Sequence, residues 1–435
     1  MVSRILLFVA LMLTLSLGET PPKKKEILPL DLSGLVFEKE TWTLDAEGLR
    51  EKVRSTGFSW LSKRKEAARA PSRTKLTLGM IPLGETIIRL KNGHVNQIEL
   101  FCYNRGDDDH ISREDFFAKI EEVKDFVSSK TKVRPEEEGR QYNSVVGASR
   151  ISWPTPQTVY LLEFSQNRSK ETRGNNFQGE FIRLRVAHAG EPNKASDRFT
   201  KRNQQPKNRT ELAKSVRKEK DGDVWISGIP MVDQGEKGYC AVASAERVLR
   251  YYGLEVDQHE MAQISNASAS VGTNPEFMGE ALKKAALTLN VSIQELYTLF
   301  EKRSFKRLVD DYNRTAKRKG RRSLTMNVNP FANADREILQ ETRLASRDYQ
   351  KFRQDLRTNI DEGIPLLWAL FLGVYPEPNI PQLAGGHMRL IIGYNDRTNE
   401  IIFSDSWGAR HAKKRMPIVE AFTMTTSLQK LAPRR

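Results

Sequence analysis

Cysteine is the scarcest informative residue in this 435-residue chain: there are two, Cys102 and Cys240. Two cysteines exclude a disulfide framework of the kind that staples small exported domains. Cys102 shares one face of the stretch Val95 to Tyr103 with Ile98 and Leu100, and is expected as a buried free thiol. Long apolar runs are also missing. The only one, Ile5 to Leu17 after Met1-Val2-Ser3-Arg4, is too short to span a bilayer, which takes ~20 residues. It reads as a signal peptide ending at the small residue Gly18, so the mature chain is expected to be secreted or periplasmic, without a transmembrane segment. No metal-ligand spacing, glycine-rich phosphate loop or internal repeat is found, and neither metal nor cofactor is expected.

The formal net charge of +15 is concentrated in two places. Residues 301–322 carry ten Lys/Arg against three acids, and residues 189–220 carry ten against four. Such runs are ordinarily solvated faces and linkers, and their functional use would be attraction to an anionic surface. Aromatic residues are too sparse within them for a nucleic-acid platform, so no nucleic-acid partner is expected.

The chemistry-bearing segment is Gln234-Gly235-Glu236-Lys237-Gly238-Tyr239-Cys240, which runs directly into the helical pattern Ala241 to Tyr252. A thiol at a helix start is favoured as thiolate by the positive end of the helix dipole, and only the thiolate attacks a carbonyl. An amide six positions earlier can fold back across the glycine turn, so that the Gln234 side chain and the Cys240 N–H face one developing oxyanion. A base and its orienting group are offered by Gly385-Gly386-His387 and Asp405-Ser406-Trp407-Gly408. Met388 to Tyr394 and Glu400 to Ser404 read as the strands of a hairpin around Asn395-Asp396-Arg397-Thr398-Asn399. Symmetric pairing about Asp396 predicts that His387 and Asp405 stand opposite each other.

These residues resemble the papain-like cysteine peptidases. The nucleophile segment is similar to that of staphopains, while the region Val256 to Leu289 and the Gly-His strand resemble the double-glycine, bacteriocin-processing (C39-like) peptidases. The separation of 147 residues between Cys240 and His387 lies within the papain-type range of about 130–150. The resemblance covers Val224 to the end of the chain. It implies Cys240 as nucleophile, His387 as general base and acid, Gln234 as oxyanion donor, Asp405 as the orienting residue, Trp407 as a shield over the Asp405–His387 hydrogen bond, and Gly386 in substrate binding. Papain-type members use asparagine at the position of Asp405, which implies that an amide would serve there; the double-glycine branch uses an acid. Ala241 stands where many relatives have glycine, which bears on substrate range.

The expected fold class is α+β: a papain-like catalytic domain, its nucleophile helix packed on an antiparallel sheet, preceded by a separate α+β module. The boundaries are a signal peptide at 1–18, a leader at 19–40, an N-terminal module at 41–188, a basic and mobile linker at 189–222, and the peptidase domain at 223–435 with a helical insertion at about 296–354. Within the module, Asp45 to Leu61 and Ser112 to Val127 read as helices, and Thr74 to Ile81, Thr86 to Leu90, Val95 to Tyr103, Val159 to Phe164 and Phe181 to Ala187 as strands. In the peptidase domain a helix is expected from Pro275 through Leu289, and Ile364 to Leu372 as a central strand. The module carries no catalytic constellation and stands as either a propeptide or an accessory domain. The remaining histidines, His94, His110, His188, His259 and His411, read as surface or structural groups. The function expected is an exported cysteine peptidase acting on peptides or proteins. A catalytically silent peptide-binding module and a transglutaminase-like acyl transferase are the alternatives. Asn167, Asn208, Asn266, Asn290 and Asn313 begin glycosylation tripeptides, which arise often by chance.

Overall fold

A computed structural model describes residues 29–53, 57–108, 110–141, 148–167, 177–189, 206–235, 239–254, 256, 259, 261–262, 283 and 289–434. The signal-peptide segment, the helix expected from Pro275 (apart from Lys283 and Leu289) and the tripeptide at Asn266 lie outside the described residues. The fold is α+β and is built on two large antiparallel sheets.

The first sheet runs in the order 59–60, 67–70, 86–91, 94–104, 178–188, 158–167, 148–154, 136–141. One face packs on the helix Arg113–Thr131, whose Phe116, Ile120, Val123 and Val127 recur at helical spacing and are buried against Ile98, Leu100, Leu162 and Leu184. The Ser112 side chain accepts from Asp115 N–H at 3.0 Å and fixes the helix start. Cys102 is buried on this face as a free thiol, and burial pushes its pKa up to about 12.

The opposite face departs from the ordinary pattern. Arg69, Glu99, Arg150, Glu163 and Arg183 alternate with the core residues along their strands, as solvent-facing positions do, yet all are buried. They are tolerated because they pair: Glu163 accepts from Arg150 and Arg183 at 2.9 Å each, and Arg185 lies 3.1 Å away. Burial alone would raise the Glu163 pKa, but the three guanidinium groups bring it down to about 2.

The second sheet runs 216–218, 223–226, 385–395, 366–372, 425–433, 291–298, with 400–404 paired to 385–395 and 414–417 beyond it. The amphipathic helix Cys240–Tyr251 packs against the 385–395 strand and ends before Gly253, whose φ of +88° suits the left-handed helix stop. Its buried Val242, Ala245, Val248 and Leu249 join Leu366, Leu390 and Ile391 in one core. Between the strands 291–298 and 366–372 lie the helices Lys302–Arg318, Pro330–Asn333, Arg336–Leu344 and Arg347–Asp361. The basic run proves to be a solvated helix face: Leu308, Val309, Tyr312 and Ala316 are buried, while Lys306 pairs with Asp310 at 2.6 Å on the exposed side.

Several expectations change. Asp45 to Leu61 is a helix only over Ala46–Val53 and reaches a short strand at Ser59–Trp60. Thr74 to Ile81 is two strands, Leu76–Leu78 and Ile81–Leu83, separated at Gly79, where φ is +62°. The end of the expected mobile linker is ordered. Asn208 and Glu211 form a reciprocal capping box on the helix Arg209–Ala213, Leu212 is completely buried, and Val216–Lys218 pairs with Asp223–Ile226. A single apolar anchor plus a strand edge suffices to hold a segment that is polar in composition.

Candidate active site

The helix from Cys240 and the strand Gly385–Asn395 bring Cys240 and His387 into one cleft of about 2270 Å³, which Gln234, Gly386 and Trp407 also line. Cys240 is the first residue of its helix, where backbone N–H groups have no intrahelical acceptor. His387 is buried, and its Nε2 lies 2.8 Å from Asp405 Oδ1. With Nε2 taken, Nδ1 is the nitrogen left for the Cys240 side chain; it is buried and makes no hydrogen bond of its own among the described residues. The Trp407 indole stacks on the His387 ring, with centroids 4.2 Å apart and planes inclined by 11°, and both side chains of the His387–Asp405 pair are completely shielded.

The hairpin register differs from symmetric pairing about Asp396. The pairs are Asn395↔Glu400, then Gly393↔Ile402, and after a bulge Ile391↔Phe403 and Leu390↔Ser404. Continued by one residue, that register sets Arg389 across from Asp405, and His387 across from Trp407. The turn over residues 396–399 is the cause, since it centres the hairpin between Arg397 and Thr398; the extra residue at Ile392 then moves the register back by one, because a bulge places two residues against one. His387 reaches Asp405 diagonally, which long side chains on one face of a pair can do.

Arg389 has no counterpart in the sequence reading, where a lone arginine on a strand passes for a surface group. It is completely buried, donates from Nε to Asp405 Oδ2 at 2.6 Å and from Nη1 to Glu377 at 2.8 Å, and lies over the Phe403 ring. Asp405 therefore accepts on both oxygens: Oδ1 from His387 and from Ser406 N–H at 2.8 Å, and Oδ2 from Arg389. Burial raises the Asp405 pKa, but His387 and Arg389 outweigh it and bring it to about 2. Burial lowers the His387 pKa, but the Asp405 charge and hydrogen bond, with Cys240 after them, raise it from 6.5 to about 9.

Gln234 is buried. Its N–H donates to the Ser406 carbonyl at 2.9 Å, and its Oε1 accepts from the Ser406 hydroxyl at 2.6 Å. The carbonyl end of the amide is thus committed to Ser406, and the NH₂ group is its other end. Ser406 is a second residue the sequence reading left without a role, although it sits inside the Asp-Ser-Trp-Gly motif. Gly386 is exposed at the cleft, and a side chain there would meet nothing within 4 Å. Neither of the other two buried histidines joins the Cys240–His387–Asp405 set: His259 Nε2 lies 3.2 Å from Glu85, and His411 adjoins the set from outside, its carbonyl accepting from Asp405 N–H at 2.9 Å and its ring meeting the edge of Trp407. Glu219, Asp221 and Asp223 form the one carboxylate cluster of metal-binding geometry among the described residues; Lys413 lies 3.3 Å from Asp223, which Arg415 also contacts. No helix among the described residues is long and apolar enough to cross a membrane.

Residues 226–426 match the family model described as Peptidase_C39 like family. That span holds Gln234, Cys240, His387, Asp405 and Trp407. No curated protein matches the chain. Among solved structures, the chain is similar to xylellain, a cysteine protease from Xylella fastidiosa, with 14% identity over 54% of this chain and 91% of that one and a TM-score of 0.22.

Proposed function

We propose that the chain is an exported cysteine peptidase that cleaves peptide bonds through an acyl-enzyme. One observation carries the reading: Cys240 opens a helix in the cleft beside an imidazole whose far nitrogen is locked onto a buried, ionised carboxylate. Cys240 passes its proton to Nδ1 of His387, and the thiolate attacks the scissile carbonyl. The carbonyl electron pair moves onto oxygen, where the Gln234 NH₂ group and the Cys240 backbone N–H bind it. Collapse expels the amine, which takes the proton from His387, and leaves a thioester. Water then gives a proton to His387 and attacks the thioester. The second collapse releases the acid and returns the thiolate–imidazolium pair. Asp405 fixes the ring tautomer and stabilises its charge, and Trp407 keeps water from their hydrogen bond. In domain terms, the unit from about residue 223 performs the catalysis and the sheet before it serves as an added module.

The raised His387 pKa sets the alkaline limit of activity. A proton held up to about pH 9 is available to the leaving amine below that pH and is lost above it. Hydrolysis is therefore expected to fall as pH rises through about 9, while alkylation of Cys240 by iodoacetamide, which needs thiolate but no proton donor, does not fall there. A hydrolysis limb near 6.5, the ordinary histidine value, would remove Asp405 from its assigned role.

Export is supported by the apolar run Ile5 to Leu17 followed by the small residue Gly18. N-terminal sequencing of protein released from expressing cells should begin at Glu19. Retention of Met1 in released protein would contradict it.

A further inference from the structure

We infer that the N-terminal unit is a permanent part of the active site, with Arg69 of its sheet acting as a positioning residue for the Gln234 loop. The inference deepens the peptidase reading and rests on it.

Arg69 lies in the strand Ala67–Ala70 and is 4% exposed. Its Nε donates to Glu85 Oε1 at 2.5 Å, and Glu85 Oε2 in turn meets His259 Nε2 at 3.2 Å. The guanidinium is thereby fixed in plane, and its Nη1 reaches Asp233 Oδ1 at 3.5 Å. The same Oδ1 accepts from Gly235 N–H at 2.9 Å, an Asx turn that folds the backbone directly around Gln234. Gly235 has a φ of +69°, and a Cβ there would lie 2.7 Å from Arg69 Nη2, so only glycine lets the loop close onto the guanidinium. Gln234 is thus held between Ser406 on the catalytic side and, through Asp233 and Gly235, Arg69 on the N-terminal side.

The residue before the thiol is seated the same way. Tyr239 is buried, and a Cβ on Gly106 of the N-terminal unit would lie 2.1 Å from its hydroxyl. The N-terminal unit therefore grips both ends of the segment that bears the oxyanion donor and the nucleophile. Ser59, Trp60 and Arg73 also line the side of the cleft, with about 2270 Å³ open beside Cys240 and His387. An inhibitory propeptide would fill the cleft and could leave without harm to the machinery. This unit walls the cleft, and its departure would release the loop and leave Arg69 without Asp233 and Glu85 without His259.

The test separates positioning from folding by comparing two reactions of the full-length protein. Peptide hydrolysis passes through an oxyanion; alkylation of Cys240 by iodoacetamide does not. Arg69→Lys, which keeps the charge but loses the planar fork, should lower kcat for a peptide amide by about 10- to 100-fold, on the scale of a misplaced catalytic group. KM and the alkylation rate should stay within about two-fold. Asp233→Asn keeps an acceptor for Gly235 N–H and should show a smaller loss of the same kind, of about several-fold. Gln234→Ala should cost about 10²–10³-fold, and in that background Arg69→Lys should add no more than about two-fold, because the two changes act through one group. Unchanged hydrolysis in both Arg69→Lys and Asp233→Asn, parallel loss of hydrolysis and alkylation, additive losses with Gln234→Ala, or a rise in hydrolysis of the kind that loosening an inhibitor produces would each overturn the inference and leave the peptidase reading standing. Absence of hydrolysis and of Cys240 alkylation in the unaltered protein would overturn both.

Discussion

Cys240→Ala and His387→Ala are each expected to abolish peptide hydrolysis, by on the order of 10³-fold or more, without unfolding the protein. The thiol and the imidazole act as one unit, so the double variant should be little worse than either single one. Fold and activity separate because Cys240 sits at the cleft surface of its helix, whereas the core contacts are made by Val242, Ala245, Val248 and Leu249. Near-normal hydrolysis in either variant, with purified protein free of contaminating peptidase, would mean that the reaction is carried elsewhere.

Asp405→Asn is expected to be nearly as damaging, with a loss of about 10²-fold or more, in contrast to the tolerance that papain-type asparagine at this position implies. Asp405 has two acceptor oxygens in use. An asparagine can keep its oxygen toward His387 and Ser406 N–H, but its NH₂ then faces the Arg389 Nε–H that now donates to Oδ2 at 2.6 Å. Two donors buried against each other leave Arg389 short of a partner, and a buried guanidinium stripped of a carboxylate is destabilising. The His387 pKa should drop as well, because the Asp405 charge is a main cause of its rise, and the alkaline limit of residual activity should move below pH 9. Replacing the guanidinium by an apolar chain of similar length removes the conflict. Arg389→Met combined with Asp405→Asn should therefore recover activity over Asp405→Asn alone. Wild-type hydrolysis in Asp405→Asn would show that Arg389 places no demand on the carboxylate.

That difference marks where the sequence was readable. Gln234, Cys240, His387 and Asp405 stood out because the chemistry confines them to short contexts: an amide before a glycine turn, a thiol at a helix start, and an imidazole and a carboxylate at the ends of hairpin strands. What those contexts omit is what holds them. Ile392 looks like any other residue in an apolar strand, yet as a bulge it shifts the register by one and makes Arg389, rather than Leu390, the residue facing Asp405. Arg389 and Ser406 carry no local signal, because their partners lie across the hairpin or 172 residues away at Gln234. In the N-terminal unit, Phe181, Arg183 and Arg185 alternate with Ile182, Leu184 and Val186 as an edge between core and solvent would. Only the positions of Glu163 and Arg150 in neighbouring strands make that second face buriable. The strands 291–298 and 425–433 were missed for a related reason: Val291–Thr298 buries little beyond Val291, so its sequence lacks apolar alternation. The helix over 209–213 escaped notice because one leucine anchors it.

The chain supplies its own control for the central claim that Cys240 is an activated nucleophile. Treated at neutral pH with an epoxide that alkylates papain-type thiols and then digested for mass spectrometry, the unaltered protein should carry the label on Cys240 and none on Cys102, whose thiol is buried with its pKa pushed up to about 12. The label should disappear from Cys240 in His387→Ala. Labelling of neither cysteine, or labelling of Cys240 that persists at the same rate without His387, would contradict the account.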